Sequence, residues 1–222
     1  VGVVGCGLMG SGIAQVCAQK GYKVVVREVN EQFLQKGLDR IRDFMEKGKA
    51  KGKVTDQDIT NTFNNITGTT RFEDFSDCDI VIEAVTENMD TKKAAFRELD
   101  RVCKSETIFA SNTSSLSITE MASVTKRPDR FIGAHFFNPV PIMKLLEIVR
   151  PEITSNETYN TVKAFGESLG KVVVTAKDTP GFIVNYLLVP FLLEAVRLTT
   201  LPRRCLRNSN PRATRRRLCS SE

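Results

Sequence analysis

His135 is the only histidine in the chain, and it stands in the run Gly133-Ala134-His135-Phe136-Phe137-Asn138-Pro139. Histidine is the side chain that ordinarily changes charge near neutral pH, which suits it to moving a proton to or from a reacting group. A lone histidine is more often a core or surface residue than a catalyst. The start of the chain changes that balance. Gly5, Gly7 and Gly10 have the spacing Gly-x-Gly-x-x-Gly, preceded by a short apolar run and followed by a helical pattern with Ile13, Val16 and Cys17 on one face. That strand–turn–helix context is what a dinucleotide loop requires. In it Gly5 permits the tight turn, Gly7 lets the backbone approach a pyrophosphate, and Gly10 lets helix and strand pack closely. Leu8 and Met9 fall inside the loop. The helix that opens there offers free N–H groups and a partial positive charge to phosphates. A second strand, Lys23 to Arg27, ends at Glu28, about 20 residues on, where an acceptor for a ribose 2′-hydroxyl belongs. That carboxylate would repel a 2′-phosphate, so NAD is expected over NADP, with Arg27 softening the preference. The plain alternative is an ordinary glycine-rich strand-to-helix turn.

The elements around these residues alternate. Asn30 is placed to cap a helix from Glu31 whose apolar stripe is Phe33, Leu34, Leu38, Ile41 and Met45. It leads into the lysine run Lys47 to Lys53, which by itself reads as a solvated helix end. Thr55 or Asp56 opens a short helix, and a strand is expected around Ile66. Asp79 to Ala84 is a buried strand, followed by a helix from Thr91 to Val102 with Ala94, Ala95, Leu99 and Val102 inward. Thr107 to Ala110 is the next strand, and Phe131 to Ala134 delivers His135. Met143 to Val149 reads as a strand with Glu147 near its end, Asn156 to Leu169 as a helix, and Lys171 to Thr175 as a strand. Strands alternating with helices predict a doubly wound, mostly parallel α/β sheet of Rossmann type. In such sheets ligands lie at the carboxyl ends of strands. The glycine loop, Glu28, Glu87, Ser114 and His135 all follow strand ends. After Pro180-Gly181 a long apolar helix is expected, kinked at Pro190.

Composition sets limits on function. The 222 residues suffice for one α/β domain and part of a second. Seven arginines against the single acid Glu222 in residues 203–222 carry the whole net charge of +6. The rest of the chain is formally neutral and offers no basic face for specific nucleic-acid binding. That segment lacks periodicity and is expected to be a disordered basic tail. No run of 18 uncharged apolar residues exists, so no membrane span is expected. The six cysteines form no Cys-x-x-Cys pair and read as reduced thiols of an intracellular protein. No metal site is expected. No signal peptide is visible, although the chain begins inside its first strand without an initiator methionine.

The segments Gly-Cys-Gly-Leu-Met-Gly-Ser-Gly-Ile-Ala-Gln, Ser-Asn-Thr-Ser-Ser, His-Phe-Phe-Asn-Pro-Val-Pro and Asp-Thr-Pro-Gly-Phe-Ile-Val-Asn, in this order, resemble the 3-hydroxyacyl-CoA dehydrogenase family, 3-hydroxybutyryl-CoA dehydrogenases included. The resemblance runs from residue 1 to about residue 198. It implies oxidation of an (S)-3-hydroxyacyl-CoA to a 3-oxoacyl-CoA with NAD, or the reverse, within fatty-acid β-oxidation or butyrate-type metabolism. His135 would be the base, with Glu147, twelve residues on, as its carboxylate partner. A carboxylate holds an imidazole in one tautomer and stabilises its cation; the bland reading of Glu147 is a strand-end acid in water. The resemblance further assigns Ser114 to the substrate hydroxyl and nicotinamide, Asn138 to the cofactor and Asn185 to the substrate. Glu87 and Lys92 fall at its cofactor-contact positions, and Lys51 in a region that grips coenzyme A phosphates. The family implies an acyl-CoA substrate and a homodimeric parent, in the cytoplasm of a bacterium or the mitochondrial matrix of a eukaryote, the cytoplasm being preferred.

The family continues beyond Asn185 into a helical domain that pairs two subunits and helps close the substrate cleft. The expected organisation is therefore a nucleotide domain over residues 1–178, the first helix of an incomplete helical domain over 179–202, and the tail over 203–222. A frameshifted or truncated product is the expectation, with dimer formation by this chain in doubt. Two readings of another class stand beside the enzyme. One is an NAD-binding module without turnover because the second domain is missing. The other is a role for the basic tail in nonspecific contact with RNA or a membrane surface. A dehydrogenase of the 6-phosphogluconate type is disfavoured, since its chemistry would call for a lysine base.

Overall fold

Every strand of the expected pattern is present in a computed structural model, which describes residues 1–200. In chain order they are β1 (Gly2–Val4), β2 (Val24–Arg27), β3 (Ile66–Thr69), β4 (Ile80–Glu83), β5 (Ile108–Ser111), β6 (Phe131–Phe136), β7 (Leu145–Arg150) and β8 (Val172–Lys177). The helices are α1 (Leu8–Gln19), α2 (Glu31–Lys49), α3 (Asp56–Asn64), α4 (Met89–Val102), α5 (Ile118–Ala122), α6 (Asn156–Ser168) and α7 (Val184–Thr200). The strands form one sheet in the order β3-β2-β1-β4-β5-β6-β7-β8. The chain order reverses on either side of β1, which is the switch point where doubly wound sheets open a ligand crevice. All pairings are parallel except β6 with β7, which is antiparallel. This is the mostly parallel Rossmann-type sheet the sequence implies.

Central strands of such a sheet are covered on both faces, so they read as continuous apolar runs rather than alternating ones. Val3, Val4, Val81, Ile82, Phe109 and Ala110 are all buried. One core cluster joins Ile13, Val26, Ile41, Ile82 and Ile132, and a second joins Val81, Phe96, Phe109, Met121 and Phe131. In the second, Phe96 stands edge-on to Phe131 at 4.5 Å between ring centroids.

Helix starts follow local chemistry. The Asn30 side chain accepts from the Phe33 amide at α2, and Thr55 and Asp58 form a reciprocal capping box at α3. Three details depart from expectation. Ala94 is exposed and Val102 only partly buried, and Phe96 with Lys92 fills the inner face of α4. Phe33 is exposed because it fronts a cleft instead of the core. Finally, β6 runs through His135 to Phe136, so the histidine lies within the strand.

The chain divides into two compact units, Val1–Ile183 and Val184–Glu222. The described part of the second is α7, with Pro190 inside it and Leu187 and Phe191 exposed. The arginine-rich tail lies outside the described residues. No helix among the described residues is long and apolar enough to cross a membrane.

Close packing of β1, the loop and α1 depends on Gly10, where a methyl group would overlap the Gly5 carbonyl oxygen. Backbone cannot yield as a flexible side chain does, so Gly10→Ala is expected to cost about 2–3 kcal/mol. In a domain of this size that lowers the melting temperature by roughly 5–10 °C. Thermal unfolding of the two proteins side by side checks this, and an unchanged midpoint would refute the close approach.

Candidate active site

The glycine loop joins β1 to α1. Gly5 sits at φ +95°, which a side chain would resist, and its amide donates to the Arg27 carbonyl at 2.8 Å. Gly7 is the residue before α1, and a methyl group built on it would meet nothing within 4 Å. Packing among the described residues therefore does not require its lack of a side chain. That lack leaves the backbone open to a ligand at a helix N-terminus, where N–H groups favour phosphate. Leu8 is exposed at the start of the helix, with Met9 partly buried beside it.

A cleft of about 570 Å³ opens beside this loop, lined by Gly5, Gly7, Glu28, Phe33, Val85 and Thr86 among others. Glu28 borders it from the end of β2. Its two carboxylate oxygens accept the Cys6 amide at 2.8 Å and the Val29 amide at 3.0 Å. These bonds fix the acid where the loop turns. Arg27, on the same border, stacks its guanidinium 4.1 Å from the ring centroid of Phe72, another lining residue, and donates to the Thr70 carbonyl. The Cys6 thiol is pushed up to about 12 by burial and by Glu28, against the opposing pull of Arg40. It stays protonated and is no nucleophile. Cys17, Cys78 and Cys103 are likewise buried, free thiols, raised chiefly by burial.

Next along the edge is a line of charges. Glu83, the last residue of β4, is completely buried. One of its oxygens accepts Lys92 Nζ at 2.7 Å and the Val85 amide at 2.7 Å, and the other accepts Ser111 Oγ at 2.6 Å. Lys92, 1% exposed, reaches on to Glu87 at 3.2 Å. Glu87 in turn accepts Thr113 Oγ1 at 2.6 Å, the Ser114 amide at 2.7 Å and Ser114 Oγ at 3.0 Å. Burial by itself would raise the Glu87 carboxyl. The bonds from Thr113 and Ser114 and the Lys92 ammonium together hold it below the usual carboxylate range. The structure thus brings Glu87, Lys92 and Ser114 into one network, with Lys92 inside it and not at the surface.

At β6 and β7, the antiparallel register sets His135 directly opposite Glu147. His135 Nδ1 lies 2.7 Å from Glu147 Oε2, with the carboxylate at 0% and the histidine at 6% exposure. A neutral imidazole facing an ionised carboxylate donates from the nearer nitrogen, here Nδ1, which leaves the Nε2 lone pair open. The rings of Phe137 and Phe182 flank the imidazole at 4.4 and 5.7 Å. Glu147 Oε1 accepts the Ile183 amide at 3.1 Å. Because β7 runs against β6, Glu147 stands near the beginning of its strand, on the same edge as His135 near the end of its own.

The remaining candidates are more scattered. Asn138 is exposed in the loop after β6, before a cis peptide to Pro139. Lys51 is exposed beyond α2 and borders a second cleft of about 470 Å³ with Lys47, Lys53, Met45, Pro141 and Ile142. Pro141 and Ile142 belong to the loop that follows His135, so the lysine run and that loop share one cleft. Asn185 is the second residue of α7, in the other unit. Among the described residues no group of His, Cys, Asp or Glu is arranged to hold a metal ion. Sequence reasoning missed Glu83 and Asp178. An acid closing an otherwise apolar strand is a legible signal for Glu83. Asp178 gave none beyond its place in Asp-Thr-Pro-Gly.

Comparison with known proteins follows the same lines. Residues 1–179 match the family model described as 3-hydroxyacyl-CoA dehydrogenase, NAD binding domain. The chain is 46% identical over 194 residues to the probable 3-hydroxybutyryl-CoA dehydrogenase of Bacillus subtilis, with 87% of this chain and 68% of that protein aligned. It is 46% identical over 204 residues to the human mitochondrial hydroxyacyl-coenzyme A dehydrogenase, with 89% and 65% aligned. It therefore spans about two thirds of the length of these relatives. The crystal structure of the (S)-3-hydroxybutyryl-CoA dehydrogenase of Ralstonia eutropha superposes with a TM-score of 0.86 at 45% identity, over 87% of this chain and 69% of that one. The family model takes in both the glycine loop and the His135–Glu147 strand pair, and the chain belongs to the 3-hydroxyacyl-CoA dehydrogenase family.

Proposed function

We propose that this chain carries the nucleotide-binding and proton-transfer half of an NAD-dependent oxidation of (S)-3-hydroxyacyl-CoA to 3-oxoacyl-CoA, or of its reverse. The observation that supports it most is the buried 2.7 Å contact between His135 Nδ1 and Glu147 Oε2 on the edge of the sheet that also carries the glycine loop. Oxidising a secondary alcohol removes a hydride and a proton. Bound NAD supplies the hydride acceptor. The protein has to remove the proton, and His135 Nε2 is the group for it. Glu147 fixes the imidazole tautomer and offsets the charge the ring gains on protonation. In the reverse direction the same imidazolium returns the proton to the alkoxide oxygen.

The other assignments follow from placement. Gly5, Gly7 and Gly10 with Leu8 and Met9 receive the pyrophosphate at the start of α1, and Glu28 receives the adenosine ribose. Both Glu28 oxygens already accept backbone amides, yet each retains lone-pair capacity for a hydroxyl. A phosphate in that position would meet a carboxylate, which favours NAD. Glu87 and Ser114, backed by Lys92, face the nicotinamide side. Ser114 exchanges its bond to Glu87 for one to the substrate hydroxyl. Asn138 serves the cofactor, Asn185 the acyl-CoA, and Lys51 the coenzyme A phosphates, the last two resting on family likeness more than on geometry.

Two measurements test the proposal. Wild type is expected to consume NADH in the presence of acetoacetyl-CoA, and His135→Gln to lose about 10²–10⁴-fold in kcat while keeping NADH fluorescence binding. Binding of NADH without turnover at any acyl length selects the NAD-binding module instead. Gly7→Ala separates ligand from fold: its new methyl group has open space, so stability is expected within about 0.5 kcal/mol of wild type while NADH affinity falls at least tenfold. A variant that binds NADH normally would remove Gly7 from the pyrophosphate site.

A further inference from the structure

Asp178 receives more hydrogen bonds than its place at a strand end explains. It follows β8 directly, yet its carboxylate accepts from α5, some 60 residues earlier. One oxygen takes the Ile118 amide at 2.9 Å. The other takes the Thr119 amide at 2.8 Å, Thr119 Oγ1 at 2.6 Å and Ser117 Oγ at 3.2 Å. Part of this is capping of α5: the Ser117 hydroxyl accepts the Glu120 amide, and Asp178 takes the Ile118 and Thr119 amides of the same first turn. Four donors on one carboxylate fix the chain at the point where it leaves the sheet.

What leaves the sheet there is the turn that touches the histidine pair. The Phe182 amide donates to the Thr179 carbonyl at 2.9 Å, closing a turn through Pro180 and Gly181, the latter at φ +79°. Phe182 itself sits at φ +52°, a left-handed conformation that disfavours a bulky side chain and persists only where its surroundings over-determine it. Here they do: the Phe182 ring is 4% exposed and stands edge-on to His135. This conformation turns the following amide, that of Ile183, onto Glu147 Oε1 at 3.1 Å. With one oxygen held by that amide and the other on Nδ1, the carboxylate is restrained from rotating away from the imidazole.

We infer that Asp178 is a positioning residue for the His135–Glu147 pair, acting through the Thr179–Ile183 turn to hold Glu147 in line with the imidazole. The inference rests on the reading of that pair as the proton-transfer dyad. The chain of contacts runs from the Asp178 clamp on α5, through the left-handed Phe182, to the Ile183 amide, to Glu147 and to His135.

A single histidine makes the test direct. In the ¹⁵N-histidine-labelled full chain, the long-range ¹H–¹⁵N spectrum contains one imidazole, and its two nitrogen shifts report which one bears the proton. At a pH where the ring is neutral, wild type is expected to show the Nδ1–H tautomer alone. Asp178→Asn presents an N–H₂ group to donors, and its two nitrogen resonances are expected to move toward each other as the tautomers mix. Its kcat is expected to fall at least tenfold with KM for NADH within twofold. A purely structural role for Asp178 would leave the tautomer untouched in the folded fraction. Should Asp178→Asn fail to fold, the double variant Ser117→Ala/Thr119→Val removes two of the four donors from a surface helix and is expected to show the same mixing in part. A wild-type ring protonated on Nε2 overturns the dyad and this inference together. A wild-type Nδ1–H tautomer kept unchanged in the folded variant overturns the inference alone.

Discussion

The site depends on one reversal in an otherwise parallel sheet. A parallel β7 would need a crossover connection, whereas the antiparallel one follows β6 through a short loop. An antiparallel neighbour sets residues directly opposite one another, and the register Gly133↔Val149, His135↔Glu147 puts acid and imidazole in one cross-strand pair. A slip of one residue would send Glu147 to the other face of the sheet. That slip is resisted by what lies on each side: Ala134 and Phe136 alternate with His135, Leu146 and Ile148 with Glu147, and all four apolar residues are buried. Lys171 secures the intervening loop by donating to the Val140 and Met143 carbonyls, its own ammonium disfavoured by burial. The geometry of the His135–Glu147 pair is thus held by hydrophobic burial along the two strands.

Around the loop between β1 and α1, glycines stand for two different physical reasons. Gly10 and Gly37 are small because backbone approaches them: the Gly5 carbonyl at one, and the Cys6 carbonyl and thiol at the other. Gly7 is small although, among the described residues, nothing would lie within 4 Å of a side chain there. Only the first kind is explained by folding. The second leaves a backbone edge open at a helix N-terminus, beside a cleft bordered by an acid whose oxygens are tied to the loop itself.

Much of this was legible in the sequence. The glycine spacing, the acid at the end of β2 and the strand–helix alternation carry their own physical signals, and all eight strands stand where those signals put them. The inner face of α4 was misjudged because small apolar Ala94 and a charged Lys92 were sorted by type. Burial there is decided by the partner, and Lys92 goes inside because Glu83 waits at the end of β4. A lysine's destination cannot be read without knowing which strand lies across from it. Asp178 was illegible for the same reason: its partners are some 60 residues away, joined to it only by the tertiary fold. His135 and Glu147 were visible as residue types, but their 2.7 Å contact comes from a register that periodicity does not specify.

Glu83 and Glu147 are both 0% exposed, and the fold compensates them in opposite ways. Burying a carboxylate is costly unless it is paired and hydrogen-bonded. Glu83 is given an ammonium, an amide and a hydroxyl. Its main partner is the buried Lys92 ammonium at 2.7 Å. The pair forms a rigid frame from which Glu87 and Ser114 are hung. Glu147 is given an imidazole, the one partner whose charge ordinarily changes near neutrality. Under the proposed function that pair would change its net charge each time a proton arrived or left. A backbone amide supplies what the imidazole cannot, a hydrogen bond that persists in both protonation states. The Ile183 amide fills this need, and it explains why a strained turn at Phe182 is retained beside a site whose own strands are unstrained.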